Sequence, residues 1–165
     1  MSELTRPSIV LVHGLRADAS SFNRIIPALQ EEGYEVFAPQ FWLDTLASDV
    51  EAVRRAFSRV PGPILLVGHS YGGTLVTVWA THAAPAADLL TQKVEGTAWK
   101  TKPSWYVPIK DDRVAHPALQ HLVARRMGAT TYETDGGHIG MLSNPDLALK
   151  VIREAAKACS RARVE

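Results

Sequence analysis

A single cysteine, Cys159, stands among 165 residues, so no intrachain disulfide is available and a reducing compartment is expected. Net charge is also scarce: 18 basic and 17 acidic side chains leave a formal +1. That balance offers little to a nucleic acid or an anionic membrane, and neither is expected as a partner. The pairs Arg54-Arg55 and Arg125-Arg126 read as solvated helix faces rather than a phosphate-binding stripe. No apolar run approaches the ~18 residues that would span a bilayer. The opening MSELTRPS has neither the basic nor the apolar region of a signal peptide, so a cytoplasmic location is expected. HExxH, paired Cys/His spacings, GxGxxG and a phosphate loop are all missing, and His82, His116 and His121 form no ligand pattern. Neither a metal nor a nucleotide cofactor is therefore expected.

What is there is an ordinary globular profile, 46% hydrophobic and 21% charged. A chain of this length can bury roughly 70% of its unfolded surface, so residues 1–165 are expected to form one domain. Short apolar runs alternate with helical spacing. Residues 8–12, SIVLV, form a strand signal, followed by helix spacing over 20–32 that stops at Gly33. Residues 34–38 read as a second strand, and 44–59 as an amphipathic helix on Leu46, Val50, Val53 and Phe57. A third strand, ILLV at 64–67, leads through the Gly68–Gly72 turn into a helix to about residue 84. Residues 86–102 lack periodicity and read mostly as loop. Strand 104–109, helix 117–127, strand 130–134 and helix 144–157 complete the chain. This alternation predicts a three-layer α/β/α sandwich around a mainly parallel sheet of about five strands.

The sharpest motif is Gly68-His69-Ser70-Tyr71-Gly72, entered from ILLV and left through TLVTVWA. A G-x-S-x-G turn between strand and helix lifts a serine hydroxyl above the strand end, with helix N–H groups beneath it that favour negative charge. A serine hydroxyl is a poor nucleophile at neutral pH, so it needs a base, and the base needs an acidic orienter. In Asp135-Gly136-Gly137-His138, directly after the last strand, the glycines leave His138 free to reach over the sheet as base. Lys110-Asp111-Asp112-Arg113 follows the preceding strand, and Asp112 is favoured over Asp111 as orienter. His13-Gly14-Leu15 ends the first strand beside the elbow, so the backbone N–H groups of Leu15 and Tyr71 are candidate oxyanion donors. His13 and His69 read as structural.

Together IVLVHG, GHSYGG, KDDRV and GGHIGMLSNP resemble the α/β-hydrolase superfamily, near its plant methyl-esterase and bacterial salicylate-esterase-like branch. The resemblance runs from about residue 7 to 157. It implies a cofactor-independent serine hydrolase of small esters, with Ser70, Asp112 and His138 as triad. One departure is large: Asp112 follows Ser70 by only 42 positions, where the family usually inserts a strand, a helix and a helical cap. In the family's order the strands read 4-3-5-7-8, a reduced version of the fold without a separate cap domain. If that gap closes, the Asp112 strand lies beside the elbow strand, about one spacing (~4.8 Å) nearer. Otherwise residues 86–102 supply a replacement strand, or a partner chain fills the gap. An uncapped site is expected to be shallow, with Trp42, Leu43, Leu15, Tyr71 and Ile139 as candidate walls and a homodimer as one way to cover it. The alternatives are a scaffold with little turnover, or a lyase or acyltransferase on the same triad.

Overall fold

The computed structural model describes residues 6–80 and 98–161. Its centre is β1, Ser8–Val12, buried along its whole length. β1 pairs in parallel with β2 (Val36–Phe37) on one side and with β3 (Ile64–Gly68) on the other. The β1–β3 register runs from Ser8 opposite Ile64 to Val12 opposite Gly68, so both strands end at the same rim.

Alternation along β1 builds two cores. Val10 and Val12 face Leu46, Val50, Val53 and Phe57 of α2 (Leu46–Phe57), with Tyr71 and Leu75 of α3 (Tyr71–Ala80). Ile9 and Leu11 face the opposite way. They pack on Phe22, Ile25 and Leu29, the last in α1 (Ile26–Glu31), and on Leu149 and Ile152 of α6 (Pro145–Arg161). Period-two burial on both faces is what a parallel sheet covered by helices requires.

Several expected elements are shorter or broken. The helix expected over 20–32 is a 3-10 turn, Ala19–Phe22, followed by α1, because Pro27 falls in the first turn of α1 and cannot sit in a helix interior. α2 starts where Thr45 and Ser48 cap each other's backbone N–H. α4, Pro117–Met127, has the expected bounds, with Gly128 left-handed at its C-cap. β4 is only Trp105–Tyr106 and β5 only Thr130–Thr131, paired in parallel and extended by a single bridge between Ile109 and Thr134. A short helix α5, Gly140–Ser143, has no counterpart in the sequence expectation. Residues 86–97 lie outside the described residues, and 98–100 form a 3-10 turn.

The expected five-stranded sheet is instead two pieces among the described residues, β2-β1-β3 and β4-β5. β4 is not hydrogen-bonded to β3, so the interval left by the short Ser70–Asp112 connection is not closed by direct pairing of these strands. α6 bridges the two pieces. Leu149 and Ile152 pack beneath β1, while Glu154 accepts from Trp105 Nε1–H of β4 at 3.0 Å and from the Tyr132 hydroxyl just past β5. One residue earlier, Arg153 is ion-paired with Glu32 at the end of α1, its Nε 3.0 and 3.1 Å from the carboxylate oxygens.

Candidate active site

Ser70 sits at the β3–α3 turn with φ +53°, a left-handed conformation that costs energy for any side chain with a Cβ. Close approach of neighbouring backbone holds it there. A Cβ at position 72 would lie 2.1 Å from the Val12 carbonyl oxygen, so only glycine lets the first turn of α3 press against the end of β1. A Cβ at position 14 would lie 2.9 Å from Ser70 Cβ, so the loop after β1 also runs directly past the serine. Leu15 follows that glycine and is 45% exposed, while the Tyr71 side chain is buried. The N–H of Tyr71, first residue of α3, has no acceptor within its own helix.

His138 reaches Ser70 from the loop after β5. Its Nδ1–H donates to Asp112 Oδ2 at 2.8 Å, which leaves Nε2 to accept from the Ser70 hydroxyl at 3.0 Å. Asp112 is 6% exposed and well supported. Its Oδ1 accepts from the backbone N–H groups of Val114 (2.7 Å) and Ala115 (3.0 Å), and its Oδ2 also accepts from Gln120 Nε2–H (3.0 Å). Burial pushes the Asp112 carboxyl up, but the hydrogen bonds from His138, Ala115 and Val114 outweigh it and hold it below the usual carboxylate value. Asp111 does something else: its carboxylate accepts from Gly136 N–H at 3.1 Å, bracing the glycine turn that leads to His138.

Sequence reasoning missed one support. Gln120 of α4 is buried; it donates to Asp112 and to the Ala115 carbonyl (2.7 Å) and accepts from Ile109 N–H (3.0 Å). A lone glutamine in an amphipathic helix carries no signal for that role. His69, which reads as structural in the sequence, donates its Nε2–H to the His138 carbonyl at 2.8 Å and so ties the His138 backbone to the elbow. Burial pushes the His69 pKa down, favouring the neutral ring. His69 Nδ1 is buried without a partner among the described residues, so there is no acceptor for a second ring proton.

The expected pocket walls are distributed differently. Trp42 is 93% exposed, and Leu43 packs against the core cluster on the α2 side, so neither encloses the site. Ile139 is half-buried immediately before α5. His116 caps α4 through Nδ1, and His121 is paired with Glu133 at 2.8 Å. Among the described residues no group of histidine, cysteine and carboxylate side chains is arranged to hold a metal ion, and no helix is long and apolar enough to cross a membrane.

Comparison with known proteins gives the same architecture. A pyrethroid hydrolase from Sphingobium wenxiniae is 29% identical over 90 residues, which take in 48% of this chain and 32% of that protein. The chain thus spans about a third of that relative's length in the match. The crystal structure of a pyrethroid hydrolase from Sphingobium faniae superposes with a TM-score of 0.76 at 16% identity, over 93% of this chain and 98% of the other. That of polyneuridine aldehyde esterase gives 0.75 at 14% identity, over 91% and 99%. Likeness at such low identity speaks to fold alone. The model of the alpha/beta hydrolase family matches residues 9–91, from β1 through the Ser70 elbow and over half of the chain, and to that family the protein belongs.

Proposed function

We infer that the protein is a serine hydrolase acting on small carboxylic esters through an acyl-enzyme. The observation that carries this reading is the unbroken relay Asp112–His138–Ser70, with separations of 2.8 and 3.0 Å. A serine hydrogen-bonded to an imidazole whose other nitrogen donates to a buried carboxylate is the arrangement that activates a hydroxyl for acyl transfer. The names of the relatives, a pyrethroid hydrolase and an esterase, point to the same class of reaction.

In the first half-reaction Ser70 Oγ attacks the ester carbonyl carbon and its proton passes to His138 Nε2. The negative charge moves to the carbonyl oxygen, which the N–H groups of Leu15 and Tyr71 receive. Asp112 stabilises the imidazolium without taking its proton. The tetrahedral adduct collapses, the alcohol leaves with the proton from His138, and the acyl group stays on Ser70. Water then repeats the sequence: His138 takes its proton, the acid departs, and Ser70 is restored.

The test is labelling with a fluorophosphonate probe together with hydrolysis of p-nitrophenyl acetate. The wild type should label at Ser70 and turn over. Ser70→Ala should not label and should lose about 10³-fold or more in kcat. Equal rates in the two proteins would reject the serine mechanism and leave a hydrolase-fold scaffold.

A further inference from the structure

One buried charge near the site has no part in the relay. Asp49, on the first turn of α2, is 1% exposed and lies within the same core as Val50, Val53, Tyr71 and Leu75. A carboxylate in such surroundings is costly unless its oxygens are hydrogen-bonded. Here both are. Oδ1 accepts from the Leu43 N–H at 3.1 Å, and Oδ2 accepts from the Tyr71 hydroxyl at 3.0 Å. The amino end of α2 adds a favourable dipole.

The groups it joins give this bond its interest. Tyr71 follows the nucleophile and carries one of the two oxyanion N–H groups. Leu43 has φ +58°, a left-handed conformation that persists in a non-glycine residue only where its surroundings hold it. Two residues earlier, the Phe41 ring stacks on His13 with centroids 3.9 Å apart and planes 1° from parallel. His13 leads directly into Gly14 and Leu15. The loop before α2 is therefore fastened to both strand ends that carry oxyanion donors: through Phe41 to the end of β1, and through Leu43 and Asp49 to the elbow.

We propose that Asp49 is a positioning residue for this hydrolysis, one carboxylate that clamps the Leu43 loop to the Tyr71 side chain and so sets the direction of the Tyr71 N–H beside Ser70. This rests on the serine-hydrolase reading above. Burial, and then the hydrogen bond and charge of Asp49, push the Tyr71 phenol far above its ordinary pKa, so it remains a donor across the working pH range. Asparagine at position 49 could keep both links, its carbonyl facing Leu43 N–H and its amide donating to the Tyr71 oxygen. Alanine could keep neither.

The experiment compares Tyr71→Phe, Asp49→Ala, Asp49→Asn and the Asp49→Ala/Tyr71→Phe double variant with wild type, by fluorophosphonate labelling rate and p-nitrophenyl acetate kinetics. Leu29→Ala, in the core on the opposite face of the sheet and remote from the clamp, serves as control for simple destabilisation. Tyr71→Phe and Asp49→Ala should each lower kcat and labelling about tenfold, with KM within about twofold, because a misdirected oxyanion donor is felt in the transition state. The double variant should be no worse than Asp49→Ala, since both changes break one linkage. Asp49→Asn should stay within about threefold of wild type, and Leu29→Ala should lower thermal stability without lowering kcat. If Asp49→Ala does not fold, Tyr71→Phe and Asp49→Asn still decide. A labelling wild type alongside a Tyr71→Phe that labels and turns over at the wild-type rate would overturn the clamp alone. A wild type that does not label at Ser70 would overturn the serine reading, and the clamp with it.

Discussion

Ser70, His138 and Asp112 depend on neighbours whose work is visible only atom by atom. Asp112 and Asp111 are adjacent carboxylates with different duties, one under the imidazole and the other on the Gly136 N–H, and the KDDR motif alone distinguishes them weakly. Gln120 was silent in the sequence, because which side of α4 faces the 109–115 loop is settled by packing. His69 yields a prediction in pH. Burial lowers its pKa in the folded state, so between the unfolded and folded values the unfolded chain binds the additional proton. The stability this neutral ring contributes is present above roughly pH 6.5 and is lost progressively as pH falls below it. His69→Gln keeps an N–H for the His138 carbonyl but cannot titrate. The urea midpoint of the wild type should therefore drop more than that of His69→Gln on moving from about pH 7.5 to about pH 5.5. Equal drops in both proteins would show that His69 does not titrate differently on folding.

At the scale of elements, the strong signals were those with their own local physics. SIVLV and ILLVG are mainly apolar, partly β-branched runs and they form β1 and β3; the α4 bounds follow from Pro117 at the start and Gly128 at the end. β4 and β5 are shorter than the apolar pattern suggested, and only Trp105–Tyr106 and Thr130–Thr131 pair as strand. α6 carries the greater burden, because it touches both pieces of the sheet. Its Glu154 is held by Trp105 and Tyr132, while Leu149 and Ile152 stay under β1. The spacing of Asp112 and His138 from Ser70 is thus set through a helix face. Glu154→Ala should loosen β4 and β5 relative to β3 and lower the labelling rate of Ser70 about tenfold, since a displacement near 1 Å can cost that much or more. Faster amide hydrogen exchange at residues 104–109 should accompany it. Unchanged labelling with unchanged exchange would remove α6 from this role.

Across the whole molecule, the candidate site faces outward. Ser70 is exposed, Leu15 is nearly half exposed and Trp42 almost wholly so. In an enclosed pocket each added methylene of an acyl chain would contribute ~0.8 kcal/mol of binding, or about fourfold. An open site forfeits most of that. kcat/KM for p-nitrophenyl esters should therefore change less than about threefold from acetate to hexanoate, where four methylenes in a closed pocket would give a rise of about two-hundredfold. A steep rise in that series would mean that a further surface covers the site during turnover.

The sequence by itself determined the elbow, the β1 loop and the chain order of Ser70, Asp112 and His138. Those are local matters: glycine is required where backbones meet at atomic contact, apolar alternation is required where a strand is covered on both faces, and each motif carries its own reason. Whether Asp112 and His138 meet Ser70 was a different kind of question. The chain between Ser70 and Asp112 is too short for the usual insertion, and no residue in it states how far apart the two pieces of sheet will lie. Only the tertiary structure decided that distance, because it is set by α6 packing under β1 and holding β4 and β5, by Gln120 under Asp112, and by His69 on the His138 carbonyl. These contacts join residues remote in sequence, and their geometry exists only once the helices have packed.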